Sequence, residues 1–213
     1  MPWNGIVDGN PSGITVDILN TSTSYGAPHF NFELGIPWRR AQEMILNMNN
    51  GELVLIVPLT RTPTREATYN WIAPLVKNEM NIVSLTTEKI TTLAQAKNKH
   101  IGVIRGWNAI PYLEKLGFRD LEEAKDGEKN MAKLMHHHIE GVGDSTLVAR
   151  YQWKKIGGKS EHLYVGPNIS ESTYIYVAGN HSFPKEVAQT IYAAVEKMKN
   201  DGVLGEIINK WEK

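Results

Sequence analysis

The residues best suited to chemistry lie in Leu59-Thr60-Arg61-Thr62-Pro63-Thr64-Arg65-Glu66, which follows the apolar run Leu53-Val54-Leu55-Ile56-Val57. The run reads as a buried strand, covered on both faces, that feeds a hydroxyl-rich turn. Pro63 suits the first position of a short helix, and Thr62 suits its N-cap. A helix start presents free N–H groups and partial positive charge. Arg65, one turn in, adds a planar fork of donors, and the set fits a carboxylate. A capped surface helix carrying a solvated arginine is the competing reading.

Three other places carry chemistry. Trp38 opens a helix after Pro37, where its indole either stacks on a bound molecule or packs into a core. Arg105-Gly106-Trp107-Asn108 ends a strand and opens a helix. Gly106 lets backbone approach a ligand closely, and Asn108 can cap the helix while donating or accepting. Asp144 follows a weak strand over residues 139–143 and is placed to cap the next helix. His136-His137-His138 does not read as a metal site: consecutive helical residues diverge, and no cysteine or clustered carboxylate completes a set.

Composition narrows the function classes. Lys+Arg and Asp+Glu both total 23 in 213 residues, so no net field favours nucleic acid or an anionic membrane. With no cysteine, disulfides and thiolate chemistry are excluded. No stretch approaches the roughly 18 apolar residues of a membrane span. There is no phosphate-binding glycine loop, nucleophile elbow, zinc-protease motif or dinucleotide fingerprint. No cofactor is expected.

The elements that must hold these residues alternate between helix and strand, which predicts an α/β architecture. The pattern predicts helices from Val16, over 38–48, 108–116, 128–135 and 146–155, and from Pro184. A last helix carries Leu204, Ile207, Ile208 and Trp211 on one face. Strands are expected over 30–34, 53–57, 80–84, 101–104, 163–165 and 174–177. Asn49-Asn50-Gly51 reads as a helix stop, and Thr86 to Lys89 as a crossing between lobes.

Spread along the chain are Pro2-Trp3, Gly13 to Leu19, Pro37-Trp38-Arg39-Arg40-Ala41, Thr60 to Glu66 and Trp71-Ile72-Ala73-Pro74-Leu75. Leu93 to Lys99, Ile101 to Gly106 and Asp201-Gly202-Val203-Leu204 follow. In this order and spacing the chain resembles the bacterial extracellular solute-binding proteins of ABC transporters, of the amino-acid-binding (family 3) type, in a divergent branch.

The resemblance implies a two-lobed periplasmic-binding-protein type II fold. Lobe 1 would comprise 1–83 with 173–213, and lobe 2 84–172, each a mixed sheet flanked by helices. A solute would bind in the cleft by hinge closure. It implies that Arg65 grips a ligand carboxylate with help from Thr60, that Trp38 forms a wall, and that Gly106 and Asn108 contribute from lobe 2. Asp144 would pair with a ligand ammonium, although its spacing from Glu140 is one residue short. The implied ligand is a small amino acid or related carboxylate, and the implied partner an ABC permease. Action outside the inner membrane as a monomer is expected, as is a signal sequence with one short strand ahead of Pro2, so the chain reads as trimmed at its front. A sensor module of a signalling receptor is the alternative. Further off is a cyclohexadienyl-dehydratase-like enzyme using Glu140 or Asp144.

Overall fold

The computed structural model describes residues 2–48, 52–107 and 109–212. It divides into two compact units, Met1–Lys77 with Thr173–Lys213, and Asn78–Ser172.

In the first unit a small hairpin, β1 (Gly5–Val7) and β2 (Asn10–Ser12), leads into α1 (Ile14–Thr23). Then come α2 (Trp38–Leu46), β3 (Ile56–Thr60) and β4 (Asn70–Asn78). Two expectations fail here. Residues 53–55 precede the strand and are largely exposed, because β3 begins only at Ile56. Residues 30–34 join no strand, although burial alternates along them as it would in one. Alternation supplies a face, but a strand also needs a neighbour to accept its hydrogen bonds.

The second unit is built on β5 (Met80–Leu85), α3 (Leu93–Ala96), β6 (Ile101–Ile104), α4 (Ala109–Lys115), β7 (Leu121–Ala124), α5 (Gly127–Met135), β8 (Gly141–Ser145), α6 (Thr146–Lys155) and β9 (Leu163–Asn168). Its sheet runs β7-β6-β8-β5-β9, with β6 parallel to β7 and β8, and β5 antiparallel to β8 and β9. Every residue of β5 is buried. Ile82 faces a cluster with Ile101, Val103 and Leu113, while Val83 faces Met131, Leu134 and Val142. Burying each such side chain contributes roughly 1.5–3 kcal/mol. Thr86 to Lys89 belongs to the turn after β5, inside this unit. Its backbone is tied down by the Thr86 N–H, which donates to the His162 carbonyl at 2.9 Å.

The chain then returns to the first unit through β10 (Thr173–Gly179), α7 (Lys185–Asn200) and α8 (Val203–Glu212). β10 is the middle strand of the order β3-β10-β4. Ile191, Ala194, Val195 and Met198 form the buried stripe of α7, as their spacing predicts. In α8 the Trp211 indole donates to Asp17 of α1 at 2.9 Å.

Candidate functional site

Thr60 is the last residue of β3, and Arg65 lies five residues on. No helix forms between them. Residues 63–68 make successive tight turns, with Arg65 N–H donating to Thr62 O and Thr68 N–H to Arg65 O. Without a run of i to i−4 bonds there is no helix dipole to help hold an anion. The expected short helix with its Thr62 cap is therefore corrected: the Thr62 hydroxyl meets the Thr64 hydroxyl at 3.0 Å.

The guanidinium itself is well placed. Arg65 is half-buried, and its Nη1 donates to the Thr60 carbonyl at 3.2 Å, which fixes the side chain across the strand end. Among the described residues it has no carboxylate partner. Arg61, four residues earlier, is spoken for. It forms a two-pronged pair with Glu66 at 2.8 and 2.5 Å and lies 5.5 and 5.4 Å from the ring centroids of Trp71 and Tyr176. That pairing holds the Glu66 carboxyl below its usual range. The sequence reading missed this cluster, although Arg61, Glu66 and Trp71 at five-residue intervals were its signal. Trp71 packs beside Ile45, Ile56 and Leu59, in keeping with a core position.

Trp38 opens α2 and is 41% exposed, so it is not a core tryptophan. It lines a groove of the first unit alongside β3.

In the second unit, β7, β6 and β8 run parallel, so their carboxyl ends share one edge, where open α/β sheets bind ligands. Gly106 follows β6 with φ +74°, in the left-handed region that a side chain would strain. A Cβ there would meet nothing within 4 Å. Trp107 beside it is 41% exposed. Asn108 lies outside the described residues.

Asp144 sits inside β8, opposite Asn81 of β5, because the strand covers Gly141–Ser145 rather than 139–143. Ser145, not Asp144, is the N-cap residue of α6, which removes the capping alternative. The carboxyl is 1% exposed. Its Oδ1 accepts the Ser145 N–H at 2.7 Å, and its Oδ2 has no protein partner. The Asn81 amide is already committed to Gly166 O and the Thr146 hydroxyl. Burial pushes the Asp144 carboxyl up to about 7, only partly offset by the Ser145 N–H. A buried acid with one lone-pair edge free is suited to a donor or cation brought by a ligand.

Glu140 precedes β8 and is engaged with Lys99 and the His100 N–H. Lys99 holds its carboxyl below the usual range. His137 pairs with Glu88 at 3.3 Å, and the rings of His136 and His138 stand 6.2 Å apart. Among the described residues no group of three His, Cys, Asp or Glu side chains is set to hold a metal. Among those residues no helix is long and apolar enough to cross a membrane.

Thus Thr60, Arg65 and Trp38 belong to one unit, and Gly106 and Asp144 to the other. Solved structures share the whole fold. An ancestral cationic amino acid solute-binding protein, AncCDT-1, superposes with a TM-score of 0.82 at 14% identity, covering 100% of this chain and 91% of that one. The arginine-, lysine-, histidine-binding protein ArtJ of Geobacillus stearothermophilus gives 0.72 at 19% identity, with 99% and 90% covered. A histidine kinase sensor domain similar to periplasmic binding proteins gives 0.74 at 14%, again covering 99% and 90%. The architecture is that of the type II periplasmic binding proteins. No curated protein sequence matches significantly. The profile of one family spans residues 1–213, and the chain belongs to it: the bacterial extracellular solute-binding proteins, family 3.

Proposed function

We propose that the chain is the solute receptor of an ABC importer, taking up a small amino acid or a related carboxylate outside the inner membrane. The observation that carries the reading is the contrast between two arginines. Arg61 is neutralised by Glu66, whereas Arg65 is half-buried, held across a strand end, and has no carboxylate partner among the described residues. A cation kept in that condition suits an anionic solute, because desolvated carboxylates need charge-assisted bonds. Thr60 completes the carboxylate grip, Asp144 takes an amine, and Trp38 and Gly106 border the solute. Held from both units, the solute favours a closed arrangement by hinge motion, and the loaded receptor is then read by a membrane permease.

The histidine-kinase sensor likeness favours a second reading, a module that binds the same solute to signal. Both readings use the same residues. A permease encoded alongside separates them from a kinase or cyclase on the same polypeptide.

Thermal-shift titration with amino acids, their deaminated carboxylates and simple amines tests the chemistry, since a bound ligand raises apparent stability in proportion to ln(1 + [L]/Kd). Arg65→Lys keeps the charge but loses the planar fork, so affinity for the responding ligand should fall by roughly ten-fold or more. An unchanged affinity in that variant would remove Arg65 from the site.

A further inference from the structure

The second unit holds a pocket apart from the residues assigned to the solute. β5 runs from Met80, opposite Ser145, to Leu85, opposite Leu163, so it ends at the sheet edge formed by the amino ends of β6 and β8. Asn81, the residue across from Asp144, lies four residues back from Leu85, about 13 Å along the strand. Beyond Leu85 opens a pocket of about 410 Å³, within the size range of small-molecule sites. Leu85, Met135 and Trp153 form its apolar wall. The frame is pinned by backbone. The Trp153 indole N–H donates to the Lys159 carbonyl at 2.8 Å, the His162 N–H donates to the same carbonyl at 2.9 Å, and the Thr86 N–H donates to the His162 carbonyl at 2.9 Å. Gly158 lies against the indole, where a Cβ would come within 2.3 Å of the ring. With its N–H committed, the indole offers a ligand only carbon surface.

The polar lining has one sign. Among the described residues no acid lines the pocket, while Lys159, His162 and Thr86 do. Lys155, on the preceding helix, is taken by Glu128. Among the described residues the Lys159 ammonium has no carboxylate partner, and the hydroxyl of half-buried Thr86 makes no hydrogen bond. We infer that this pocket is a second ligand site, which takes a small aromatic carboxylate carrying no amine. The ring packs on Leu85, the Met135 thioether and the indole carbons. The carboxylate meets Lys159, with the Thr86 hydroxyl and the His162 ring as further donors. An ammonium brought into the pocket would lose water and find no acid, so amino acids, the class read for Arg65 and Asp144, are disfavoured here. The site lies wholly within one unit, and it stands whether or not the solute reading does.

The test is titration of the 15N-labelled 213-residue chain with phenylacetate and with phenethylamine, which share a ring and differ in charge, followed by 1H–15N correlation NMR. Phenylacetate should move the amide signals of Thr86, Gly157 and Gly158 and the Trp153 indole signal, saturating with a Kd on the order of 1 mM. Phenethylamine should leave them in place. Lys159→Gln, an exposed substitution, should weaken phenylacetate by about ten-fold or more. Arg65→Lys should leave these shifts and their midpoint unchanged, which separates this pocket from the solute site. Absence of saturable shifts up to about 10 mM phenylacetate would overturn the proposal. So would an equal response to phenethylamine, which would make the pocket merely apolar, or an unchanged affinity in Lys159→Gln. Loss of the response in Arg65→Lys would assign the carboxylate to the solute site and overturn it as well.

Discussion

A carboxyl group sealed from solvent without an ion-pair partner keeps its proton to unusually high pH, and Asp144 is in that position. Its folded pKa of about 7 lies above the ordinary value of 3.8. The folded state therefore holds the proton while the unfolded chain releases it. The contribution to stability is fully present below the unfolded value and is lost as pH rises through the folded one. Over that window the loss is on the order of 4 kcal/mol as an upper bound. Asp144→Asn removes the titration while keeping the shape. In urea melts at a series of pH values, the variant should gain on the parent between pH 4 and pH 8, and parallel curves would show that the group titrates normally. A ligand amine makes the opposite demand, because it needs the ionised form. Affinity for an amine-bearing solute should thus rise from pH 5 to pH 8 in the parent and lose that dependence in the variant.

At the scale of elements, the sequence was most informative where the pattern is local. The stripe of α7, the presence of a strand at β5 and the boundaries of α6 follow from residue spacing alone, whereas the burial of both faces expected for 53–57 belongs instead to β5. Two features did not. The Thr62-Pro63 pair carries a valid helix-start signal, yet the backbone closes i to i−3 turns at Arg65 and Thr68 instead and enters β4 at Asn70. The alternation of residues 30–34 is equally valid, but pairing is a long-range event that a local pattern cannot announce. The candidate site divides in the same way. That Arg65 and Thr60 lie together was legible because five residues connect them, whereas the isolation of Asp144 depends on a sheet register with β5 that spacing did not contain. Sheet packing also fixes a glycine. A Cβ on Gly166 of β9 would lie 2.3 Å from the Ile90 carbonyl oxygen and 2.9 Å from that of Ile82, and backbone cannot swing aside. Gly166→Ala should cost about 3 kcal/mol or more. In α8 the same substitution at Gly205 meets nothing within 4 Å and should stabilise by about 0.5–1 kcal/mol. Urea unfolding midpoints of the two variants, moving in opposite directions, check both.

At the scale of the whole molecule, a receptor that closes on its solute should shrink when loaded. Small-angle scattering at saturating ligand should show a smaller radius of gyration than the ligand-free protein, and an unchanged radius would count against hinge closure. The order in which the chain is laid down matters as well. Asn78–Ser172 is continuous, so the ribosome delivers every strand of its sheet before moving on. The other unit has to wait, because β10, which sits between β3 and β4, is among the last elements to emerge. During synthesis its first 77 residues have no central strand to join, and they are exposed to mispairing for as long as the inserted half takes to be made.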